Sequence, residues 1–203
     1  DPLLAGRMAS AMTLGVQSVP GCGTTIKHYA CNNQEDNRMG SDSILSERTL
    51  REIYLKGFEI AICNAQPMAM MTSYNLINGV HAANSYDICT KAARDEWGFE
   101  GAIMTDWTTT TDSTAGECTA AGCMKAGNDM VMPGDIRDHA SIRQALEDGS
   151  LDIRELKRCV YHTVKIILQS NQYEDAVSYD QDATALQPGQ EWDPVSKKHT
   201  QEN

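Results

Sequence analysis

The 203 residues suffice for one sizeable domain, and 41% hydrophobic with 22% charged side chains is the composition of an ordinary globular protein. A formal charge of −11 with no Lys/Arg cluster sets the chain against phosphate backbones and anionic lipid, so no nucleic-acid partner is expected. No apolar run reaches the roughly 18 residues a bilayer crossing needs, and no membrane span is expected either.

Asp1-Pro2-Leu3-Leu4-Ala5-Gly6-Arg7 has neither a basic nor an apolar leader region and reads as a chain entered in mid-domain. Leu3, Leu4, Met8, Met12 and Val16 recur at helical spacing until Gly21-Cys22-Gly23 breaks the pattern. Thr24 to Tyr29 is a short β-favouring run, followed by an aperiodic polar loop from Asn32 to Ser43. Ser46 is placed to cap a helix with Glu47 in its first turn and Leu50, Ile53, Tyr54, Phe58, Ala61 and Ile62 on one face. Met68 to Thr72 has the unbroken apolar character of a buried parallel strand, and the loop Ser73 to Ala83 follows.

The spacing predicts a helix over 84–97 closed by Gly98, then a strand over 101–105 ending at Asp106. A helix around Ser113 to Ala126, a brief strand at Met130-Val131-Met132, a helix over 136–146 and a last helix opened by Asp152 and Glu155 complete the pattern. Four β/α repeats imply an α/β fold with a parallel sheet and outer helices, either doubly wound or roughly half of a TIM-like (β/α)8 barrel. In the barrel reading the chain is incomplete, with open strand edges that need partners. After residue 170 the tail, 171–203, is polar and aperiodic, a linker or arm. The cysteines at 22, 31, 63, 89, 118, 123 and 159 show no CxxC pair or His-rich spacing, so they read as buried free thiols in a reducing, cytoplasmic compartment.

In a parallel barrel the reactive groups sit at strand ends, where the loops converge on one mouth. Here those ends carry Lys27-His28, Met71-Thr72-Ser73-Tyr74-Asn75 and Thr105-Asp106-Trp107. A carboxylate beside Trp, with Lys, His and Tyr facing the same mouth, suits a sugar. Taken singly each has an ordinary reading: Asp106 as a helix cap, Lys27 as a surface cation, His28 as a satisfied core imidazole, Tyr74 and Trp107 as packing. No GxGxxG or Walker-type loop follows any strand, which counts against a dinucleotide or phosphate site.

Together, the strings Lys27-His28-Tyr29-Ala30-Cys31-Asn32-Asn33-Gln34-Glu35, Ser46-Glu47-Arg48 through Leu55, Met71-Thr72-Ser73-Tyr74-Asn75, Glu96-Trp97-Gly98-Phe99-Glu100-Gly101 through Asp106-Trp107, and Ala126-Gly127-Asn128-Asp129-Met130 through Gly134 resemble glycoside hydrolase family 3. The resemblance runs from residue 1 to about 170 and implies residues 1–170 as the C-terminal half of the family's barrel. It implies Asp106 as catalytic nucleophile, Lys27 and His28 as the pair holding hydroxyls of the non-reducing-end sugar, Met71 and Tyr74 as lining of that subsite, and Trp107 as the neighbouring aromatic. Asn33, Glu35 and Arg38 are expected to support their loop, and Asp112 and Glu117 to face solvent. The family's N-acetylglucosaminide branch carries Lys-His-Phe-Pro-Gly-His-Gly where this chain has Lys27 to Asn33, so a β-glucoside or β-xyloside is the expected substrate.

The implied reaction is retaining hydrolysis through a covalent glycosyl-Asp106, with no metal or organic cofactor required. In the family the acid/base Glu comes from a separate α/β sandwich domain, and other sugar contacts come from the first barrel strands. The expected partners are therefore the missing barrel half and a sandwich domain, or a second subunit, and the chain alone is expected to be inactive. The alternative is a sugar-binding or assembly half-barrel without chemistry.

Overall fold

The computed structural model describes residues 1–110 and 118–171 in full and the backbone of 190–193 and 198–201. Three parallel strands, β1 (Thr25–Tyr29), β3 (Ala69–Thr72) and β6 (Ala102–Met104), form the central sheet in the order β1-β3-β6. Register pairs Ile26 with Met70 and Met71 with Met104, so the three strands end level with one another. Met70 and Ile103, both fully buried, fill the sheet's core beside Tyr29, Ile62 and Cys89.

A second, small sheet joins β2 (Asp42–Ser43), β4 (Leu76–Ile77) and β5 (Val80–His81) beyond the carboxyl ends of the first. Asn78 takes the left-handed turn of the β4–β5 hairpin (φ 50°), and its amide bonds both the N–H and the carbonyl of Leu45, each at 2.9 Å. The Asn32–Ser43 loop is thus tied down by a sheet where the sequence showed no period.

Helix α1 (Pro2–Gln17), capped by Asp1, packs on α3 (Lys56–Ala65) through its small face of Gly6, Ser10 and Thr13. A Cβ on Gly6 would lie 2.8 Å from the Cβ of Ile60, so only glycine permits this approach. The apolar stripe read from the sequence points outward instead: Leu3, Leu4, Met8 and Met12 are exposed. Between α2 (Glu47–Thr49) and α3 the segment Leu50–Tyr54 is π-helical, closed by Leu55 N–H to Leu50 C=O at 2.8 Å. This extra residue rotates the face, burying Leu55 at 1% exposure and leaving Ile53 at 52%, against the expectation for Ile53.

The expected helix before Gly98 is present as Asp87–Glu96, also π-helical, with Gly98 at φ 69° beyond its end. Of the helix expected around Ser113 to Ala126, α4 (Ala120–Ala126) is present, capped by Thr119; residues 111–117, including Asp112, lie outside the described residues, as does Glu117. The strand expected at Met130 to Met132 is reduced to one parallel bridge, Met104 to Met130. Pro133 has no N–H to extend a ladder, and Gly134 then turns the chain at φ 78°.

Helices α5 (Ile136–Glu147) and α6 (Ile153–Gln169) each begin with a capping box, Asp135 with Asp138 and Asp152 with Glu155, the second as expected. The stripe Val160, Val164, Ile167 and Leu168 of α6 is exposed, and Cys159 is the residue that helix buries. In the tail, β7 (Gln190–Asp193) pairs antiparallel with β8 (Lys198–Gln201), a hairpin not anticipated from its composition. The architecture is α/β with parallel strands. No helix among the described residues is long and apolar enough to cross a membrane.

Candidate active site

His28 is the penultimate residue of β1, Tyr74 follows β3 by two positions and Asp106 follows β6 by two. Because the strands are adjacent and end level, these side chains meet at one edge of the sheet. Asp106 is buried; its Oδ2 lies 3.4 Å from His28 Nε2 and its Oδ1 accepts from the Trp107 N–H at 2.7 Å. The Tyr74 phenol is near enough to this carboxylate to feel its charge. Burial, then the Asp106 charge, raise the phenol's pKa above its ordinary value, so Tyr74 keeps its hydrogen near neutrality.

A backbone N–H, an imidazole and a phenol thus gather around one carboxyl group. Among the described residues Asp106 caps no helix: its Oδ1 serves the next residue, its carbonyl accepts from Thr109 Oγ1 at 2.9 Å, and the next described helix is capped by Thr119.

Tyr74 is fixed through its neighbours. Ser73 Oγ and Asn75 Nδ2 both donate to the Ala30 carbonyl, at 2.7 and 3.1 Å, and Ser73 N–H donates to the Tyr29 carbonyl at 2.8 Å. The segment carrying the phenol is therefore bolted to the strand carrying the imidazole. Above the phenol ring, 4.6 Å from its centroid, lies the Arg38 guanidinium, which also pairs with Glu35 at 2.7 Å. The Asn32–Ser43 loop was expected to support itself; through Arg38 it reaches the site. Neither Arg38's ring contact nor the Ser73/Asn75 clamp has a signal in spacing, because both depend on how two loops meet. The Met-Thr-Ser-Tyr-Asn string was the nearest clue.

The other expected residues are placed less centrally. Met71 is half-buried opposite Met104 in the sheet register. Trp107 adjoins Asp106 with 56% of its surface exposed, free to meet a ligand face. Lys27 is exposed and borders a hollow of about 450 Å³ between α1, β1 and the helix of Ile53, Tyr54 and Phe58. The peptide bonds Lys27–His28 and Tyr29–Ala30 are cis. Among the described residues no group of three or more His, Cys, Asp or Glu is arranged to hold a metal.

Behind the site, Asp129 ties the nucleophile-bearing strand to the helices. Its Oδ2 accepts from Ile103 N–H at 2.8 Å and from Arg94, its Oδ1 from His162 Nδ1 at 2.9 Å, and its side chain is fully buried. Burial pulls the Arg94 pKa below its ordinary value, and the Asp129 charge opposes that shift. Gly127, at φ 86° with Thr90 against the position a Cβ would take, lets the chain turn into this contact.

Parallel strands with outer helices and polar groups gathered at the carboxyl ends are the arrangement of barrel enzymes. Residues 1–166 match the glycosyl hydrolase family 3 N terminal domain, and the chain belongs to that family. It is 41% identical over 180 residues to an exo-alpha-(1->6)-L-arabinopyranosidase of Bifidobacterium breve, covering 89% of this chain and 22% of that protein. It is 40% identical to a beta-glucosidase of Ruminococcus albus, over 84% of this chain and 18% of that one. The structure of beta-glucosidase 3B from Thermotoga neapolitana in complex with glycerol superposes with a TM-score of 0.78 at 40% identity, over 86% of this chain and 24% of that one. Beta-glucosidase from Kluyveromyces marxianus in complex with glucose gives 0.78 at 34% identity, over 90% and 22%. The chain therefore spans 22% or less of the length of these curated relatives.

Proposed function

We propose that these residues carry the nucleophile of a retaining glycosidase acting on β-glucosides or related oligosaccharides from the non-reducing end. The observation that supports this most directly is the convergence of His28, Tyr74 and the Trp107 N–H on the Asp106 carboxylate at adjacent strand tips. In that reading Asp106 attacks the anomeric carbon, the bond to the leaving oxygen breaks, and a second carboxyl about 5 to 5.5 Å from Asp106 protonates it. Water, deprotonated by the same second group, then displaces the sugar from Asp106. Lys27 and His28 hold sugar hydroxyls, Met71 and Tyr74 line the subsite, and Trp107 covers a sugar face.

The acid/base Glu and the remaining barrel strands come, in this proposal, from sequence outside these residues. Residues 1–170 act as the C-terminal half of the barrel and 171–203 as a linker or arm. The beta-glucosidase names of several relatives favour a glucoside, whereas the arabinopyranosidases at similar identity keep a second pyranose type in view. A reducing, cytoplasmic compartment is favoured by seven unpaired thiols, of which Cys31, Cys89, Cys118, Cys123 and Cys159 are buried.

The test is made in the complete enzyme. A 2-fluoro glycoside is expected to label the peptide containing Asp106, detected by mass, and Asp106→Asn is expected to abolish both label and turnover. Losing this charge should cost a factor of about 10³ or more in kcat. Label on another residue, or a variant retaining a tenth of wild-type rate, removes Asp106 from the role; sugar binding without label would leave a non-catalytic barrel.

A further inference from the structure

His81, at the end of β5, is buried (6% exposed) and is not among the residues expected at the site. Its Nδ1 lies 3.1 Å from the Tyr74 carbonyl oxygen. A carbonyl oxygen can only accept, so Nδ1 bears the hydrogen, and in the neutral ring Nε2 is left as a bare lone pair. That Nε2 is buried with no hydrogen-bond partner among the described residues. An orphaned buried acceptor opposes folding, so a histidine kept here is poorly explained by packing alone.

The geometry around it gives the explanation. Tyr74 is flanked by Ser73 and Asn75, both bonded to the Ala30 carbonyl, and the Asn75 carbonyl accepts from Ala82 N–H at 3.0 Å. These bonds hold the residues on either side of Tyr74. His81 holds the carbonyl of Tyr74 itself, which sets the peptide plane from which the side chain departs toward Asp106. Across the hairpin His81 faces Leu76 in register, so the ring is carried by a short, paired strand rather than a free loop.

We propose that His81 is a positioning residue: through its Nδ1–H to the Tyr74 carbonyl it aims the Tyr74 phenol at Asp106. The inference rests on the reading of Asp106 as nucleophile. In this proposal His81 acts only through Tyr74.

The experiment compares His81→Asn with His81→Gln in the complete enzyme. Asparagine presents an N–H close to where Nδ1 stood, whereas glutamine presents it near the Nε2 position. Both remain polar and buried, so a purely structural role would affect them alike. Misplacing a catalytic contact by about 1 Å can cost about a hundredfold, so His81→Gln should lower kcat about ten- to a hundredfold with KM little changed, while His81→Asn stays near wild type. Thermal midpoints of the two variants should agree, and rates are normalised to sites titrated with the 2-fluoro glycoside so that misfolded protein does not count. If glutamine prevents folding, His81→Leu takes its place with the same expected loss.

A second arm uses Tyr74→Phe, which removes the phenol. In that background His81→Gln should add little further loss, because groups acting in series are not additive. Equal kcat for the Asn and Gln variants, or full additivity with Tyr74→Phe, overturns the proposal. Should Asp106→Asn keep its activity the nucleophile reading fails first; should it lose activity while the His81 pair behaves alike, only the positioning role is lost.

Discussion

At the scale of single residues, the site is built by gathering polar groups from adjacent strands around one carboxylate, and the buried frame behind it uses the same device. Asp129 binds a strand N–H, a guanidinium and an imidazole at once, with no exposed side-chain surface. Removing one partner from such a buried pair strands the other charge, which typically costs about 3–5 kcal/mol. Asp129→Ala is therefore expected to destabilise the complete enzyme by about that amount in urea titration, whereas replacing an exposed partner, such as Glu52 beside Arg48, should change little. Equal effects from the two would show that the buried carboxylate is not the tie described. Asp106, His28 and Tyr74 were legible in the sequence because strand ends can be read from hydrophobic runs and the next polar residues follow. Arg38 and His81 were not, since a ring stacked across two loops and a bond to a backbone carbonyl leave no periodic trace.

Among the elements, local chemistry was the readable part. The Asp152/Glu155 capping box lies where its spacing placed it, since a cap is decided within four residues. Asp152 also carries a pH signature. The Arg154 guanidinium first, and then its backbone N–H, pull the Asp152 carboxyl from 3.8 down to about 2. A depressed folded-state value means the stabilisation is complete above the unfolded value and disappears as pH falls through the folded one. The difference in thermal midpoint between wild type and Asp152→Ala should thus be present near neutrality and close as pH falls toward about 2. A gap unchanged at that pH would mean the charge plays no part in the cap.

The helix faces were less readable. Leu50 to Tyr54 can satisfy its backbone by i→i+4 or i→i+5 bonds with the same residues, and tertiary packing of Leu55 selects the wider turn. The stripe of α1 was visible as a period, but a period does not say which side is covered. Gly6, Ser10 and Thr13 permit a closer approach to α3 than the larger residues would, and so the small face is the one that packs.

On the scale of the whole molecule, α1 and α6 both turn apolar stripes outward, and each borders a hollow, of about 450 Å³ and 670 Å³ respectively. Contiguous uncovered apolar surface of this kind marks a place where other protein packs. The purified 203-residue chain, by itself, is expected to self-associate, to bind a hydrophobic dye and to show no turnover of an aryl β-glucoside. A monodisperse monomer that hydrolyses the glucoside would overturn both the reading of these faces and the need for an outside acid/base.

The strands that bring His28, Tyr74 and Asp106 together are neighbours in the sheet but not along the chain: a crossover separates β1 from β3 and another separates β3 from β6. Parallel pairings of this kind join residues dozens of positions apart, and contacts of that range form slowly. The carboxylate cradle is therefore a late product of folding, complete only once both crossovers have closed, and a chain released before then would not present its three groups together.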